Sequence, residues 1–306
     1  MRDHRAARKA LACALALLLP LFSGCAAESR LAMLIAGADG GFYYQNLIEG
    51  ATLAARDAGY RTEVTVLGRD GDMEQLLAQA AERGADLVAL AVPRGALPQN
   101  YVDGPPLAVM GEDLLGNWVV CRVLGEEATI GKRTGQLVAS GIGVQKSVVV
   151  VGDTESYSLD DDWEVALRGE LGAQGSIVLA RVNCKGDADM AYAQCKAALQ
   201  VHPGIGAIVC RSQGATEGAM RAMRELALRI PIVGADFSNE IALGLRDGVV
   251  SVTVVRNAYA YGYIGMDSAL RIVSGSGASE RRQLDAVYVS AGNMFDEEMQ
   301  AFLYDV

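Results

Sequence analysis

Leu31-Ala-Met-Leu-Ile-Ala-Gly37-Ala-Asp39-Gly-Gly-Phe42-Tyr43-Tyr44, running on to Ala58-Gly59-Tyr60, is the stretch on which the fold turns. An apolar run of strand length stops at glycine, an acidic and aromatic loop follows, and a helix leaves the loop. Apolar residues recur at Leu47, Ala51, Ala54, Ala55 and Ala58, the spacing of a helix laid on a sheet. In an open α/β sheet, ligands are met beyond the carboxyl ends of the strands, which is where Asp39, Phe42, Tyr43 and Tyr44 fall. Aromatic faces and a carboxylate there suit a polyhydroxylated small molecule. The same residues also suit an ordinary strand-to-helix connection whose aromatics cap the core.

Upstream, residues 1–25 have the form of an export signal. Arg2, Arg5, Arg8 and Lys9 make a positive start, and Ala10 to Leu19 is apolar but short for a membrane span. The ending Leu21-Phe22-Ser23-Gly24-Cys25 resembles the bacterial lipobox, which implies that Cys25 is lipid-modified and becomes the mature amino terminus. A plain secretory signal with Cys25 incidental is the other reading. Removing residues 1–24 takes away four basic residues and one acid, deepening the formal charge of −10 to −13. Such an acidic surface argues against nucleic acid and against peripheral binding to anionic lipid. No later apolar run is long and charge-free enough for a membrane helix.

Four cysteines follow Cys25. Cys121 and Cys210 sit in apolar strand-like runs and read as inert core residues. Cys184 and Cys195 flank a loop and enter a helix, and an exported protein permits a disulfide between them. None of the four has metal-ligand spacing, and with His4 and His202 as the histidines, a zinc or His-based catalytic site is not expected.

The rest of the chain is a repeated α/β half. Glu63 to Gly68 has strand character, Asp72 with Gln75 opens a helix bearing Met73, Leu76, Leu77, Ala80 and Ala81, and Ala85 to Val92 is a continuous apolar strand. Strands near Pro106 to Gly111 and Trp118 to Leu124 follow, then a helix from Glu126. Ser147 to Gly152 begins the pattern again. Gly204 to Arg211 answers Gly84 to Ala91, and Ile230 to Asp236 answers Pro106 to Glu112. Val249 to Arg256, with its helix through Gly262, answers Trp118 to Leu124 with its helix through Gly131. Strand alternating with helix, twice over, predicts an α/β protein of two similar doubly wound parallel-sheet lobes. A final strand over Leu284 to Val289 and a helix over Phe295 to Leu303 have no counterpart in the repeat.

That order of elements, with Phe42-Tyr43-Tyr44, Glu49-Gly50-Ala51, Val233-Gly-Ala-Asp236 and Ala242-Leu-Gly-Leu-Arg-Asp-Gly248, resembles the type I periplasmic solute-binding proteins, the ribose-binding-like group. The resemblance implies two lobes joined by a three-strand hinge near Gly125, Arg256 and Leu284. It divides the chain into a first lobe of residues 31–125 plus 257–283 and a second of 126–256 plus 284–306. By the same resemblance, Tyr43 and Tyr44 match the family's first-lobe aromatic pair, although either could instead pack in the core. Asp236 matches its second-lobe carboxylate, although it could instead cap the helix that follows. Ser212 and Gln213 match a polar pair after a strand, where Ser212 also suits a helix cap. Arg256 matches a hinge residue that is usually Gln or Asn.

Two departures bear on the ligand. Asp160-Asp161-Asp162-Trp163 stands where the family commonly has an arginine, and Gly111-Glu112 where it often has an acid and an arginine. Either the ligand differs from a simple pentose or hexose, for example by bearing an amine, or Arg256 and Arg211 supply the missing donors. The aspartates are also good helix-start residues and lack the spacing of a calcium loop. Gly37 to Gly41 is not a dinucleotide fingerprint, and no nucleophile-base set is present, so neither a cofactor nor an enzyme activity is expected. The expected protein is a monomeric, lipid-anchored receptor passing a sugar, amino sugar or polyol to an ABC-type permease. A binding protein that signals ligand to a receptor kinase or chemoreceptor is the alternative.

Overall fold

A computed structural model of the chain describes residues 30–37, 42–68, 71–92, 96–98, 101–142, 146–152 and 161–304. Cys25, Asp39 and Asp160 lie outside the described residues. Two six-stranded sheets form the frame. The first takes β1 (Leu31–Gly37), β2 (Arg61–Leu67), β3 (Leu87–Ala91), β4 (Leu107–Met110), β5 (Val119–Gly125) and β11 (Glu280–Leu284), in the order β11-β5-β4-β3-β1-β2, all parallel. The second takes β6 (Ser147–Gly152), β7 (Ile177–Asn183), β8 (Ile205–Cys210), β9 (Ile232–Ala235), β10 (Val252–Arg256) and β12 (Ala286–Val289), in the order β12-β10-β9-β8-β6-β7. There β12 alone runs antiparallel, against β10. The single tail strand expected from Leu284 to Val289 is thus two strands. The chain breaks at Asp285, and each piece completes a different sheet.

Each sheet is covered on both faces, which is why its strands are apolar throughout. Along β1, Ala32, Leu34 and Ala36 face the core under helices α1 (Phe42–Asp57) and α8 (Ala258–Val273). Leu31, Met33 and Ile35 face the opposite core, beneath α2 (Met73–Glu82). In β6, Val149 and Val151 pack under α5 (Ala188–Val201) and α6 (Gln213–Glu225), and Val148 and Val150 under α3 (Glu127–Ile142) and α4 (Asp162–Gly172). Helices α7 (Asn239–Arg246) and α9 (Glu297–Tyr304) complete the second lobe. Local signals start these helices where the sequence placed them. Asp72 accepts from Gln75 N at 3.1 Å to open α2, and Asn257 accepts from Ala260 N at 2.8 Å to open α8. Helix α1 ends at Asp57, so Ala58 falls in the turn and is exposed, outside the buried stripe.

Helices α3 and α8 leave one sheet and pack in the other lobe, α3 against α4 and α8 against α1. Both contacts pass through a glycine five residues into the helix. A Cβ at Gly131 would collide with Trp163 O, and one at Gly262 with Leu47 O. The chain therefore passes between lobes after Gly125, after Arg256 and after Leu284, and Glu126 N donates to Leu284 O at 3.1 Å, tying two of these passages together.

The expected disulfide is not formed: the structure holds Cys184 and Cys195 as buried thiols. Cys195 lies on the inner stripe of α5 with Ala191 and Leu199, and Cys184 folds into the same core directly after β7. Both behave as small apolar residues rather than as a loop staple. Burial pushes the Cys195 thiol up to about 12 and the Cys121 thiol up to about 11, which removes thiolate reactivity at neutral pH.

Candidate functional site between the lobes

Glu112 after β4, Ser212 and Gln213 after β8, Asp236 after β9 and Arg256 at the end of β10 stand at carboxyl ends of strands, with Asp161 at the start of α4. Phe42, Tyr43 and Tyr44 form the first turn of α1. Tyr44 lies over Gly37, where a Cβ would come within 2.8 Å of its Cζ. The Tyr43 hydroxyl reaches the end of β4, 2.7 Å from where a Cβ on Gly111 would sit, and Gly111 has a φ of 91°. Glu112 follows, half-buried. The Tyr43 ring meets Tyr44 edge-on at 5.3 Å and Tyr261 of α8 at 6.4 Å. Burial, reinforced by Tyr261 and Tyr44, raises the Tyr43 hydroxyl well above its ordinary value, while Arg256 pulls the other way. Tyr43 is thus a neutral hydroxyl able both to donate and to accept.

From the second lobe, Gln213 and Asp236 face this turn. Gln213 Oε1 accepts from Phe42 N at 3.4 Å, and the Phe42 ring meets Phe237 edge-on at 6.1 Å. Asp236 Oδ2 accepts from Gln213 N, the first turn of α6, at 3.2 Å. The backbone of Asp236 has a φ of 61°, rare for a residue with a side chain. It is held by Asp236 N donating to Val254 O at 2.9 Å and by Thr253 Oγ1 donating to Asp236 O at 2.7 Å. The helix after β9 is capped by Ser238, which accepts from Ile241 N at 3.2 Å, so Asp236 is not its cap. Ser212 does cap α6, accepting from Ala215 N.

The floor is an alternating ionic chain. Arg256, at the end of β10, donates through Nη2 to both carboxylate oxygens of Glu127, at 2.9 and 3.0 Å. Glu127 Oε2 lies 3.7 Å from Arg211, and Arg211 Nη1 donates to Asp161 Oδ2 at 3.2 Å. Asp161 also caps α4, accepting from Trp163 N at 2.8 Å. The Arg211 guanidinium lies 4.2 Å above the Trp163 ring, which is itself core. A pocket behind this chain is lined by Ile130, Thr134, Trp163, Arg211, Val254 and Arg256. Burial pushes the Glu127 carboxyl up, but Arg256 and Arg211 outweigh it and leave the group below the usual carboxylate range. Burial works against the Arg256 charge, yet Glu127 in front, then Tyr261 and Asp236, hold it firmly protonated.

Sequence reasoning missed Glu127 and Tyr261. An acid in the first turn of a helix is so common that Glu127 carries no signal by itself. Tyr261, fully buried in α8, resembles any core aromatic in sequence; its hydroxyl, beside Gly125, has no hydrogen-bond partner among the described residues. Among the described residues, no group of three or more His, Cys, Asp or Glu side chains is arranged to hold a metal ion, and no helix is long and apolar enough to cross a membrane. The arrangement offers aromatic rings, hydroxyls, amides and paired charges, the mix of groups that lines small-molecule clefts.

Two α/β lobes with a polar and aromatic cleft at the converging strand ends define a two-lobed binding-protein architecture of the type I periplasmic class. The chain belongs to the family described as periplasmic binding protein domain, whose model matches residues 108–277. It is 22% identical over 290 residues to the ribose import binding protein of Haemophilus influenzae, covering 92% of this chain and 98% of that one. Among solved structures, it is similar to a carbohydrate transporter solute binding protein from Agrobacterium radiobacter in complex with D-arabinose, with a TM-score of 0.76 at 17% identity over 91% of this chain and 99% of that one. An ABC transporter solute binding protein from Agrobacterium vitis with bound D-fucose gives a TM-score of 0.74 at 16% identity, covering 90% of this chain and 100% of that one.

Proposed function

We propose that this chain is an extracytoplasmic solute receptor that closes its two lobes on a sugar-like molecule and delivers it, as a monomer, to an ABC-type permease. The observation that carries this reading is the contact between the lobes at their strand ends, where Phe42 N donates to Gln213 Oε1 at 3.4 Å and the Phe42 ring meets Phe237 at 6.1 Å, with Tyr43 near enough to feel the charges of Asp236 and Arg256. Aromatic ring faces take the C–H face of a sugar, and an ionised carboxylate accepts from two neighbouring hydroxyls. Relatives described as binding ribose, D-arabinose and D-fucose point the same way. Closure follows from differential affinity: a ligand touching both lobes stabilises the closed population. Lipidation of Cys25 would keep the receptor at the membrane; Cys25→Ala is expected in the soluble fraction, and its retention with membranes would remove the anchor from this reading.

The deciding experiment is a thermal-shift screen of the mature domain over sugars, amino sugars, nucleosides and polyols. A ligand at a hundred times its dissociation constant stabilises the native state by about 2.7 kcal/mol, a shift of several degrees at this size. Asp236→Ala is expected to abolish the shift of the best hit. A shift that survives Asp236→Ala intact would remove Asp236 from the site.

A further inference from the structure

Arg211 and Arg256, at the ends of β8 and β10, are both spoken for. The loops that follow β1, β4, β6 and β9 contain no lysine or arginine from Ala38 to Tyr44, Gly111 to Asn117, Asp153 to Trp163 and Asp236 to Glu240, but they contain several acids. The loop after β3 holds Arg94, which lies outside the described residues; Arg211 and Arg256 stand at the ends of β8 and β10. Arg256 is held by both oxygens of Glu127, and Arg211 lies between Glu127 and Asp161 with its flat face on Trp163. Asp236 adds a further carboxylate close enough to act on Arg256 and Tyr43. An arginine in a binding cleft ordinarily invites a carboxylate or phosphate, because its fork matches two acceptor oxygens. Here that fork is closed by the protein's own acid.

We infer that Glu127 is the specificity-determining residue of this cleft, and that by occupying Arg256 and steadying Arg211 it restricts the ligand to molecules without an acidic group. The inference rests on the carbohydrate reading and refines it: neutral sugars are admitted and sugar acids are refused. A carboxylate entering the cleft must displace Glu127 from two guanidiniums or lie beside it unpaired, and either alternative is a cost the neutral sugar does not meet. Arg256 still serves a neutral ligand through Nη1, since its bonds to Glu127 run through Nε and Nη2. Asp161 plays the matching part at the far end of the chain, where it fixes Arg211 and the start of α4 together.

The test pairs each neutral sugar with its acid: D-glucose with D-glucuronate, D-galactose with D-galacturonate, D-ribose with D-ribonate. Calorimetry and thermal shift are run on the wild type, on Glu127→Gln, and on Glu127→Gln combined with Arg256→Gln. The wild type is expected to bind a neutral member and not its acid. Glu127→Gln is expected to raise the affinity for the acid relative to the neutral sugar on the order of tenfold, since it leaves Arg256 uncompensated. The double variant is expected to return the preference towards the neutral sugar. A wild type that binds an acid as tightly as its neutral partner overturns the inference, as does an unchanged ratio in Glu127→Gln. If Glu127→Gln does not fold, the wild-type preference and the double variant decide. A wild type that binds neither member of any pair removes the carbohydrate reading itself, an outcome distinct from binding the wrong member.

Discussion

Glu127 has the most consequences of any residue in the cleft, because two arginines depend on one carboxylate. Its pKa in the folded chain lies below the ordinary 4.5, held there by Arg256 and Arg211 against burial. A depressed carboxyl contributes stability that is complete above the unfolded value and is lost as the pH falls through the folded value. Glu127→Gln is therefore expected to melt below the wild type at neutral pH, by on the order of 2 kcal/mol. The gap should narrow as the pH falls below about 4.5. Melting curves by circular dichroism from neutral pH down to about pH 3 would read it; a gap independent of pH would show that Glu127 acts through shape rather than charge. Asp236 illustrates a different residue-scale effect. Its left-handed backbone is costly and is held by bonds from β10. The result is a carboxylate fixed at the start of α6 rather than spent on capping α7.

Among the elements, the paired helices α1 and α8 in one lobe and α4 and α3 in the other set how the strand ends face each other. Each pair meets backbone to backbone at glycines, among them Gly262 against Leu47 O and Gly131 against Trp163 O. Leu47 and Trp163 stand in the helices that carry Tyr43 and Asp161, so a shift of either helix moves the site. Gly262→Ala and Gly131→Ala are each expected to destabilise by about 1–3 kcal/mol through forced separation of the helices. Gly169→Ala is the control: a methyl there meets nothing within 4 Å, in the body of α4, and is expected to stabilise by about 0.5–1 kcal/mol. Urea midpoints at constant slope would measure all three. Stabilisation by Gly131→Ala equal to that by Gly169→Ala would mean that helix propensity, and not close approach, governs these positions.

For the whole molecule, closure depends on contacts as well as on ligand. Phe42 belongs to the first lobe by sequence, yet it packs against the second-lobe core through Phe237 and hydrogen-bonds Gln213 through its backbone. Such a contact favours the closed arrangement before any ligand is present, and removing it lowers the fraction of molecules competent to bind. Phe42→Ala is expected to enlarge the unliganded molecule in solution scattering and to weaken ligand binding by on the order of tenfold. An unliganded envelope that does not change, with affinity still lost, would make Phe42 a direct ligand contact instead.

The alternation of apolar runs with helical stripes determined the two parallel-sheet lobes, because strands buried on both faces must be apolar throughout and helices on a sheet must repeat every three to four residues. Strand ends could be found for the same reason, and with them the places of Tyr43 and Tyr44, whereas Asp236 and Arg256 were singled out by the family resemblance. What the sequence could not settle was partnership. Whether Ser238 or Asp236 caps α7, whether Trp163 offers its face or lies under Arg211, and whether Cys184 bonds Cys195 are each decided by which groups the folded chain brings within a few ångströms. Glu127 and Arg256 stand 129 residues apart, on different passages between the lobes, and local pattern carries no trace of a pair so separated. Periodicity is written along the chain and can be read there, but the matching of charge to charge arises only when distant strand ends meet in the fold.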